Sequence, residues 1–133
     1  LHKNHGCNVY AIEPSEEAQD EIKKNKHITF LAPYGESLEK IAKKQKFDAI
    51  IFSHSLENTS IPFDIMRYTR QALKKGGVVY VQCANLQTFD QMNPYHPYIF
   101  SESAFRYLGK LLKMKYERLS DGTDRMLTSL FIK

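Results

Sequence analysis

Residues 47–58 read Phe-Asp-Ala-Ile-Ile-Phe-Ser-His-Ser-Leu-Glu-Asn, a nearly continuous apolar run that ends in polar residues. An apolar run of this length without alternation predicts a strand over residues 47–53 that is buried on both faces, as is typical of parallel sheets. A second strand is predicted over residues 78–83, and a helix over residues 61–75 separates the two. This strand–helix–strand order predicts a parallel sheet with helices packed on its faces.

The same alternation continues on both sides of this segment. Ser15 and Ser101 are predicted helix N-caps, and Gly76 suits the left-handed position after a helix. Strands are predicted over residues 8–12, 27–32, 114–119 and 126–132, and helices over residues 15–24, 36–45 and 101–112. The last two strands are expected to pair as a hairpin around residues 120–123. We therefore predict one α/β domain over residues 1–133, a mostly parallel sheet with an antiparallel C-terminal strand.

The basic residues are placed in a way that argues against a nucleic-acid groove. The formal net charge is +4, but the lysines cluster at predicted helix C-termini, where cations complement the helix dipole. The clustered lysines are Lys23, Lys24, Lys26, Lys43, Lys44, Lys46, Lys74 and Lys75. No apolar run approaches the roughly 20 residues that a membrane helix needs, and no secretory signal is recognisable. A cytoplasmic protein fits this composition, and nucleic acid is disfavoured as the direct partner.

The two cysteines lie far apart without metal-type spacing, so no metal site is predicted. Cys7 and Cys83 are each flanked by strand-like sequence, and we expect buried free thiols in a reducing compartment.

An acidic residue follows the first predicted strand. In doubly wound sheets, ligands lie beyond the carboxyl ends of the strands, which is where Glu13 stands. A carboxylate there can accept hydrogen bonds from both ribose hydroxyls of an adenosine. Alternatively, Glu13 is a solvated turn residue.

Several segments, in this order, resemble the class I S-adenosylmethionine-dependent methyltransferases. In that family the fourth strand is commonly an aspartate and an apolar run followed by His-x-Leu-Glu-His, and Leu-Lys-x-Gly-Gly introduces the fifth. Residues 47–58 and residues 72–79, Ala-Leu-Lys-Lys-Gly-Gly-Val-Val, match these patterns. Residues 100–102 and 114–117 look like the family's closing helix and strand. The resemblance implies a Rossmann-like fold, S-adenosylmethionine as cofactor, and a small-molecule, sugar or lipid-precursor acceptor.

The resemblance also implies cofactor-binding residues. Glu13 looks like the ribose-binding acid, and the backbone around Ser53 and His54 would flank the methionine end of the cofactor. Residues 33–36 fall where the family often has Gly-Asp-Ala-Glu, whose aspartate binds the adenine amine. Tyr34 takes that place here, and it either stacks on the adenine or covers an edge of the core. The implied cofactor-binding set is Glu13, Pro14, Tyr34, Gly35, Ser53 and His54.

The acceptor side is expected in the long connection after the fifth family strand. This connection carries Tyr95, His96 and Tyr98, and long connections are often lids or binding loops. Its prolines and aromatics could instead only clamp it to the sheet. His54 and His96 are the candidate bases, although His54 could also be an ordinary polar residue at a strand end. Asn58 stands where many relatives carry a second histidine, and an asparagine cannot act as a base.

The family's Gly-x-Gly-x-Gly turn is absent from these residues. The resemblance therefore implies that the chain corresponds to the C-terminal three-quarters of the domain, inactive alone, without the first strand and its Gly-rich loop. That strand would lie between the strands carrying Glu13 and Ser53. The departures at Tyr34 and Asn58 keep open a non-catalytic methyltransferase-like binding or assembly module. A nicotinamide-dependent dehydrogenase is disfavoured, because no Tyr-x-x-x-Lys pair stands out.

Overall fold

The computed structural model describes residues 5–88, 96–121 and 124–133, which fold into alternating strands and helices. The strands are β1 (Val9–Ile12), β2 (Ile28–Ala32), β3 (Phe47–Ser53), β4 (Leu73–Ala84), β5 (Lys115–Arg118) and β6 (Met126–Ile132). The α-helices are α1 (Glu16–Lys24), α2 (Leu38–Ile41), α3 (Pro62–Ala72) and α4 (Glu102–Leu112). Short 3-10 helices span Gly35–Ser37, Leu56–Asn58 and Leu86–Thr88.

The chain forms two compact units, and the first is Leu1–Ser37. Its strands β1 and β2 pair in parallel, from Val9 opposite Ile28 to Ile12 opposite Ala32. Between them α1 begins after Ser15, whose hydroxyl accepts a hydrogen bond from the Ala18 amide at 3.4 Å. The predicted N-cap and parallel crossover are therefore confirmed.

The second unit, Leu38–Lys133, is built on a four-stranded sheet in the order β3-β4-β6-β5. Strands β3 and β4 run parallel, whereas β6 is antiparallel to both β4 and β5. The α/β class and the final hairpin are confirmed, although Gly122 and Thr123 of the predicted turn lie outside the described residues.

Aromatic and aliphatic side chains from α4 and the central strands form the core of this unit. The Phe105 ring of α4 packs edge-on against Phe131 of β6, with centroids 5.5 Å apart. Both rings are fully buried, as are Val79 and Val81 of β4. Burial of these side chains fixes α4 against one face of the sheet.

Strand β3 is not buried on both faces as its apolar run predicted. Phe52 is buried, but Ala49 is exposed and Ile51 is 55% exposed. Successive side chains of a strand point to opposite faces. The face of β3 that carries Ala49 and Ile51 is therefore largely uncovered by the described residues, and an apolar run alone does not reveal this.

The helix predicted over residues 61–75 ends at Ala72, three residues early. Leu73 is extended (φ −77°, ψ 144°) and 1% exposed, so its side chain enters the core as the start of β4. Lys74 consequently leaves the helix terminus and pairs with Asp48 at 2.9 Å. Gly76 is left-handed as predicted (φ +75°), but it lies within β4 rather than at a helix end.

The helix predicted over residues 36–45 is also shorter than expected. One 3-10 turn precedes the four-residue α2, and Leu38 and Ala42 are the buried side chains of this stretch. The Ala42 amide still donates to the Leu38 carbonyl at 2.9 Å. With so narrow a buried stripe, packing stabilises little more than a single helical turn.

Cys7, which was expected to be buried, and Leu111 of α4 are both exposed. Cys83 is buried as expected, but Cys7 is exposed because it precedes β1 in an irregular segment. Leu111 is 50% exposed because the buried face of α4 runs through Phe105, Gly109 and Leu112 instead. The Gly109 position is in tight contact, since a Cβ there would lie 3.1 Å from the Met114 carbonyl oxygen.

Candidate functional site

The chain makes an unusual turn where β3 ends. His54 adopts a left-handed backbone (φ 49°), which is uncommon for a residue with a side chain. Its amide donates to the Gln82 carbonyl at 2.9 Å, and its carbonyl accepts from Asn58 Nδ2 at 3.0 Å. Such conformations persist where the surrounding structure holds them, and they concentrate at functional sites.

Glu57 lies beneath this turn and is almost completely buried. Its side chain is 1% exposed, and neither carboxylate oxygen has a hydrogen-bond partner among the described residues. The nearest recorded ionisable contact is His54, whose Nδ1 lies 3.6 Å from Glu57 Oε1 and whose side chain is 48% exposed. Glu57 could not be singled out from the sequence, because an acid in a polar loop is expected to be solvated unless the fold buries it.

The same carboxylate acts on the buried thiol of β4. Burial, and then the charge of Glu57, raise the pKa of Cys83 to about 12. A thiol with that pKa stays protonated at neutral pH, so it adds no second negative charge near Glu57.

Asn58 joins two of the predicted candidates. Its Nδ2 donates to the His54 carbonyl, which leaves Oδ1 to face His96 Nδ1 at 2.7 Å. An amide oxygen only accepts, so the proton in this contact belongs to His96 Nδ1. Nε2 of the neutral His96 ring is therefore the nitrogen with a free lone pair. Asn58 cannot act as a base, but it determines which nitrogen of His96 can.

Tyr98 attaches the following segment to the same turn. Its amide donates to the Glu57 carbonyl at 3.3 Å, and its hydroxyl donates to the Ser60 carbonyl at 3.1 Å. Its ring stacks on Phe100 at 6.3 Å, and Phe100 packs on Phe105 at 5.0 Å. Tyr98 therefore holds its segment against this turn and, through Phe100, against α4, whereas Tyr95 lies outside the described residues.

The structure thus brings several sequence-predicted residues into one set of contacts within the second unit. We call this set the His54 cluster. It consists of His54, Glu57, Asn58, His96 and Tyr98. Ser53 precedes it as the exposed last residue of β3, paired with Gln82 of β4.

In the first unit, Glu13 directly follows β1, and only one of its two carboxylate oxygens is hydrogen-bonded to the described residues. Its amide donates to the Ala32 carbonyl at 3.2 Å, and its Oε1 accepts from the Ser15 amide at 2.9 Å. Its other oxygen accepts no recorded hydrogen bond from the described part of the chain. A carboxylate held in this way has acceptor capacity for ribose hydroxyls, so its chemistry fits the adenosine part of S-adenosylmethionine.

Tyr34 and Gly35 follow β2 in the same unit. The Tyr34 side chain is 61% exposed, and its carbonyl accepts from the Ser37 amide at 3.1 Å as the 3-10 helix begins at Gly35. The ring therefore presents accessible aromatic surface of the kind on which a purine stacks. Pro14, after Glu13, is likewise exposed.

Within the described residues there is no group of three or more His, Cys, Asp or Glu side chains that could hold a metal ion. The helices described are all too short or too polar to cross a bilayer.

A family model described as "Methyltransferase domain" matches residues 1–125. The chain therefore belongs to the methyltransferase domain family, and its α/β fold is that of the class I S-adenosylmethionine-dependent methyltransferases. Family membership supports S-adenosylmethionine as the cofactor. No curated protein sequence matches this chain significantly.

Solved methyltransferases share the fold at low sequence identity. The plantazolicin methyltransferase BpumL, solved in complex with SAH, has a TM-score of 0.80 and 15% identity, covering 99% of this chain and 69% of that one. A chain from the complex described as "between the Haloferax volcanii Trm112 methyltransferase activator and the putative methyltransferase" has a TM-score of 0.78 and 11% identity, covering 99% of this chain and 74% of that one. A SAM-dependent methyltransferase from Thermotoga maritima has a TM-score of 0.73 and 15% identity, covering 93% and 72%.

Proposed function

We propose that this protein transfers a methyl group from S-adenosylmethionine to a small-molecule, sugar or lipid-precursor acceptor. Beside family membership, the observation that carries the proposal is the His54 cluster at the carboxyl end of β3. In α/β folds of this kind, ligands bind beyond the carboxyl ends of the strands. Two histidines and a buried carboxylate placed there fit proton transfer better than a purely structural turn.

The residues proposed for the cofactor are those that the family resemblance implies. In the first unit, Glu13 accepts hydrogen bonds from the ribose hydroxyls, Pro14 lies beside it, and Tyr34 and Gly35 contact the adenine. In the second unit, the backbone at Ser53 and His54 contacts the methionine end. When bound, the cofactor supplies a methyl group already activated by its sulfonium sulfur.

The residues proposed for the acceptor act by positioning it and removing its proton. His54 and His96 are the candidate bases, because the contacts of each ring with the described residues are made through Nδ1, which leaves Nε2 available to accept a proton. Tyr95 and Tyr98 contribute aromatic surface that binds the acceptor and excludes water, and Asn58 orients His96. Because the methyl group is already activated, alignment and desolvation account for most of the catalysis.

Binding and turnover on the full-length protein test this proposal. Calorimetric titration with S-adenosylhomocysteine should give micromolar affinity. Transfer of an isotope-labelled methyl group should then be detected on at least one member of an acceptor panel of amines, phenols, sugars and lipid precursors. A folded protein that does not bind S-adenosylhomocysteine would contradict the proposal. Binding without turnover on any acceptor would favour the non-catalytic binding module instead.

A further inference from the structure

The carboxylate of Glu57 is buried, but no hydrogen bond from the described residues explains its burial. Both oxygens are buried without a partner in the described part of the chain, and removing an ionised carboxylate from water without compensation is costly. A carboxylate that served only to shape this loop would be hydrogen-bonded to backbone amides. The loop is instead closed by backbone groups, since the Tyr98 amide binds the Glu57 carbonyl.

The groups that surround this carboxylate narrow its possible roles. The Cys83 thiol interacts with it electrostatically but stays protonated at neutral pH. The Tyr98 amide is already engaged, and Asn58 is directed toward His54 and His96. His54 Nδ1 lies 3.6 Å from Glu57 Oε1, and this contact is an ion pair only when the ring is protonated.

Building on the proposed function, we infer that Glu57 is a positioning residue that selects the tautomer of His54. A buried carboxylate facing Nδ1 favours the ring form that carries its proton on Nδ1. Nε2 is then left with a free lone pair, on a ring that is 48% exposed. At 3.6 Å the contact is longer than a direct hydrogen bond, and such contacts often tighten in the loaded complex.

In this arrangement, His54 Nε2 accepts the proton from the molecule that is to be methylated. The bond between the acceptor's heteroatom and its hydrogen breaks, and its electron pair stays on the heteroatom as the nucleophile. The proton forms a new bond to Nε2, and the resulting imidazolium charge is balanced by Glu57. The ring later releases this proton to solvent. The left-handed backbone of His54, held by Gln82 and Asn58, keeps the ring over the carboxylate.

The first measurement needs neither cofactor nor acceptor. Nitrogen-15 NMR of the full-length protein, at a pH where the ring is neutral, should show His54 protonated on Nδ1. In the isosteric Glu57→Gln variant, the side-chain amide can donate to Nδ1 and the Nε2-protonated form should become dominant. Glu39→Gln removes an equal charge at an exposed position of α2 and should leave the His54 spectrum unchanged. A wild-type ring protonated on Nε2 would overturn the inference, whether or not the variant folds.

Kinetics distinguish positioning from general damage. With an acceptor found in the turnover screen, Glu57→Gln should lower kcat roughly 100-fold, in the range of general base catalysis, and leave S-adenosylhomocysteine affinity unchanged. Glu57→Asp keeps the charge and should recover part of kcat. An unchanged kcat in Glu57→Gln, despite a reversed tautomer, would show that His54 is not the base and would refute the inference.

The two proposals fail in different ways. Absence of S-adenosylhomocysteine binding removes the proposed methyl transfer, yet the tautomer measurement still decides whether Glu57 controls His54. Intact binding with no tautomer change in Glu57→Gln rejects the role of Glu57 and leaves the proposed methyl transfer standing.

Discussion

Replacement of Glu13 should weaken cofactor binding, and the size of the effect should equal the contribution of the hydrogen bonds between its carboxylate and the ribose. The carboxylate already accepts from the Ser15 amide at 2.9 Å, so its remaining lone pairs are those available to ribose. Hydrogen bonds to a charged group contribute about 1.5–3 kcal/mol. Loss of that contribution in Glu13→Ala corresponds to a roughly 10- to 150-fold increase in the Kd for S-adenosylhomocysteine.

A second variant separates this effect from damage to the turn. Glu13→Gln keeps an acceptor oxygen for the Ser15 amide but replaces the other oxygen with a donor, so its Kd should lie between those of wild type and Glu13→Ala. Glu17→Gln removes an exposed acid in the first turn of α1 and serves as the matched control. The assay is calorimetric titration of each full-length variant, with thermal melting to check folding. Affinities of both Glu13 variants within about twofold of wild type would refute the reasoning.

Four further predictions concern the thiols and the core. With its pKa raised to about 12, native Cys83 should resist iodoacetamide at pH 8 while exposed Cys7 reacts, as mass spectrometry of the labelled protein would show. Because the pKa of Cys83 is raised from 9.0, the protonated thiol stabilises the fold fully below pH 9.0, and this stabilisation is lost as pH rises through about 12. In denaturant titrations, the free energy of unfolding of a Cys83→Ala variant should therefore fall less steeply than that of wild type between pH 9.0 and about 12. Phe105→Ala should lower the free energy of unfolding by about 3–5 kcal/mol, because the ring is fully buried. Tyr107→Ala, at a side chain that is 63% exposed, should change it by less than about 1 kcal/mol. Equal effects of the two substitutions in urea denaturation would contradict the assigned core. Gly109→Ala should destabilise by about 1–3 kcal/mol, because its Cβ would lie 3.1 Å from a backbone carbonyl, and an unchanged urea midpoint would count against that close contact.

The order of elements was predictable because it depends on local chemistry. The hydroxyls of Ser15 and Ser101 cap helices by accepting hydrogen bonds from amides three residues later, and those contacts need only neighbouring residues. The end of α3 was not predictable in the same way. Leu73 leaves the helix to bury its side chain, and a helical continuation through Lys74 and Lys75 was equally compatible with local propensity.

Some features of the candidate site were likewise predictable from the local sequence, and others were not. The positions of Glu13, His54 and Asn58 after strands could be predicted, because a strand's carboxyl end is recognisable from its apolar run and the polar residues that follow. The contact between Asn58 and His96 spans 38 residues and exists only once the chain has folded. Nothing in the intervening sequence specifies that separation.

By itself, the sequence determined the α/β class, the hairpin of β5 and β6, and the family, since periodicity, capping and turn chemistry act over a few residues. Only the tertiary structure decided that Ile51 is exposed, that Glu57 is buried 3.6 Å from the His54 ring, and that burial raises the pKa of the Cys83 thiol. Burial and charge pairing depend on which distant segments cover a side chain, and they change its chemistry without changing its place in the sequence.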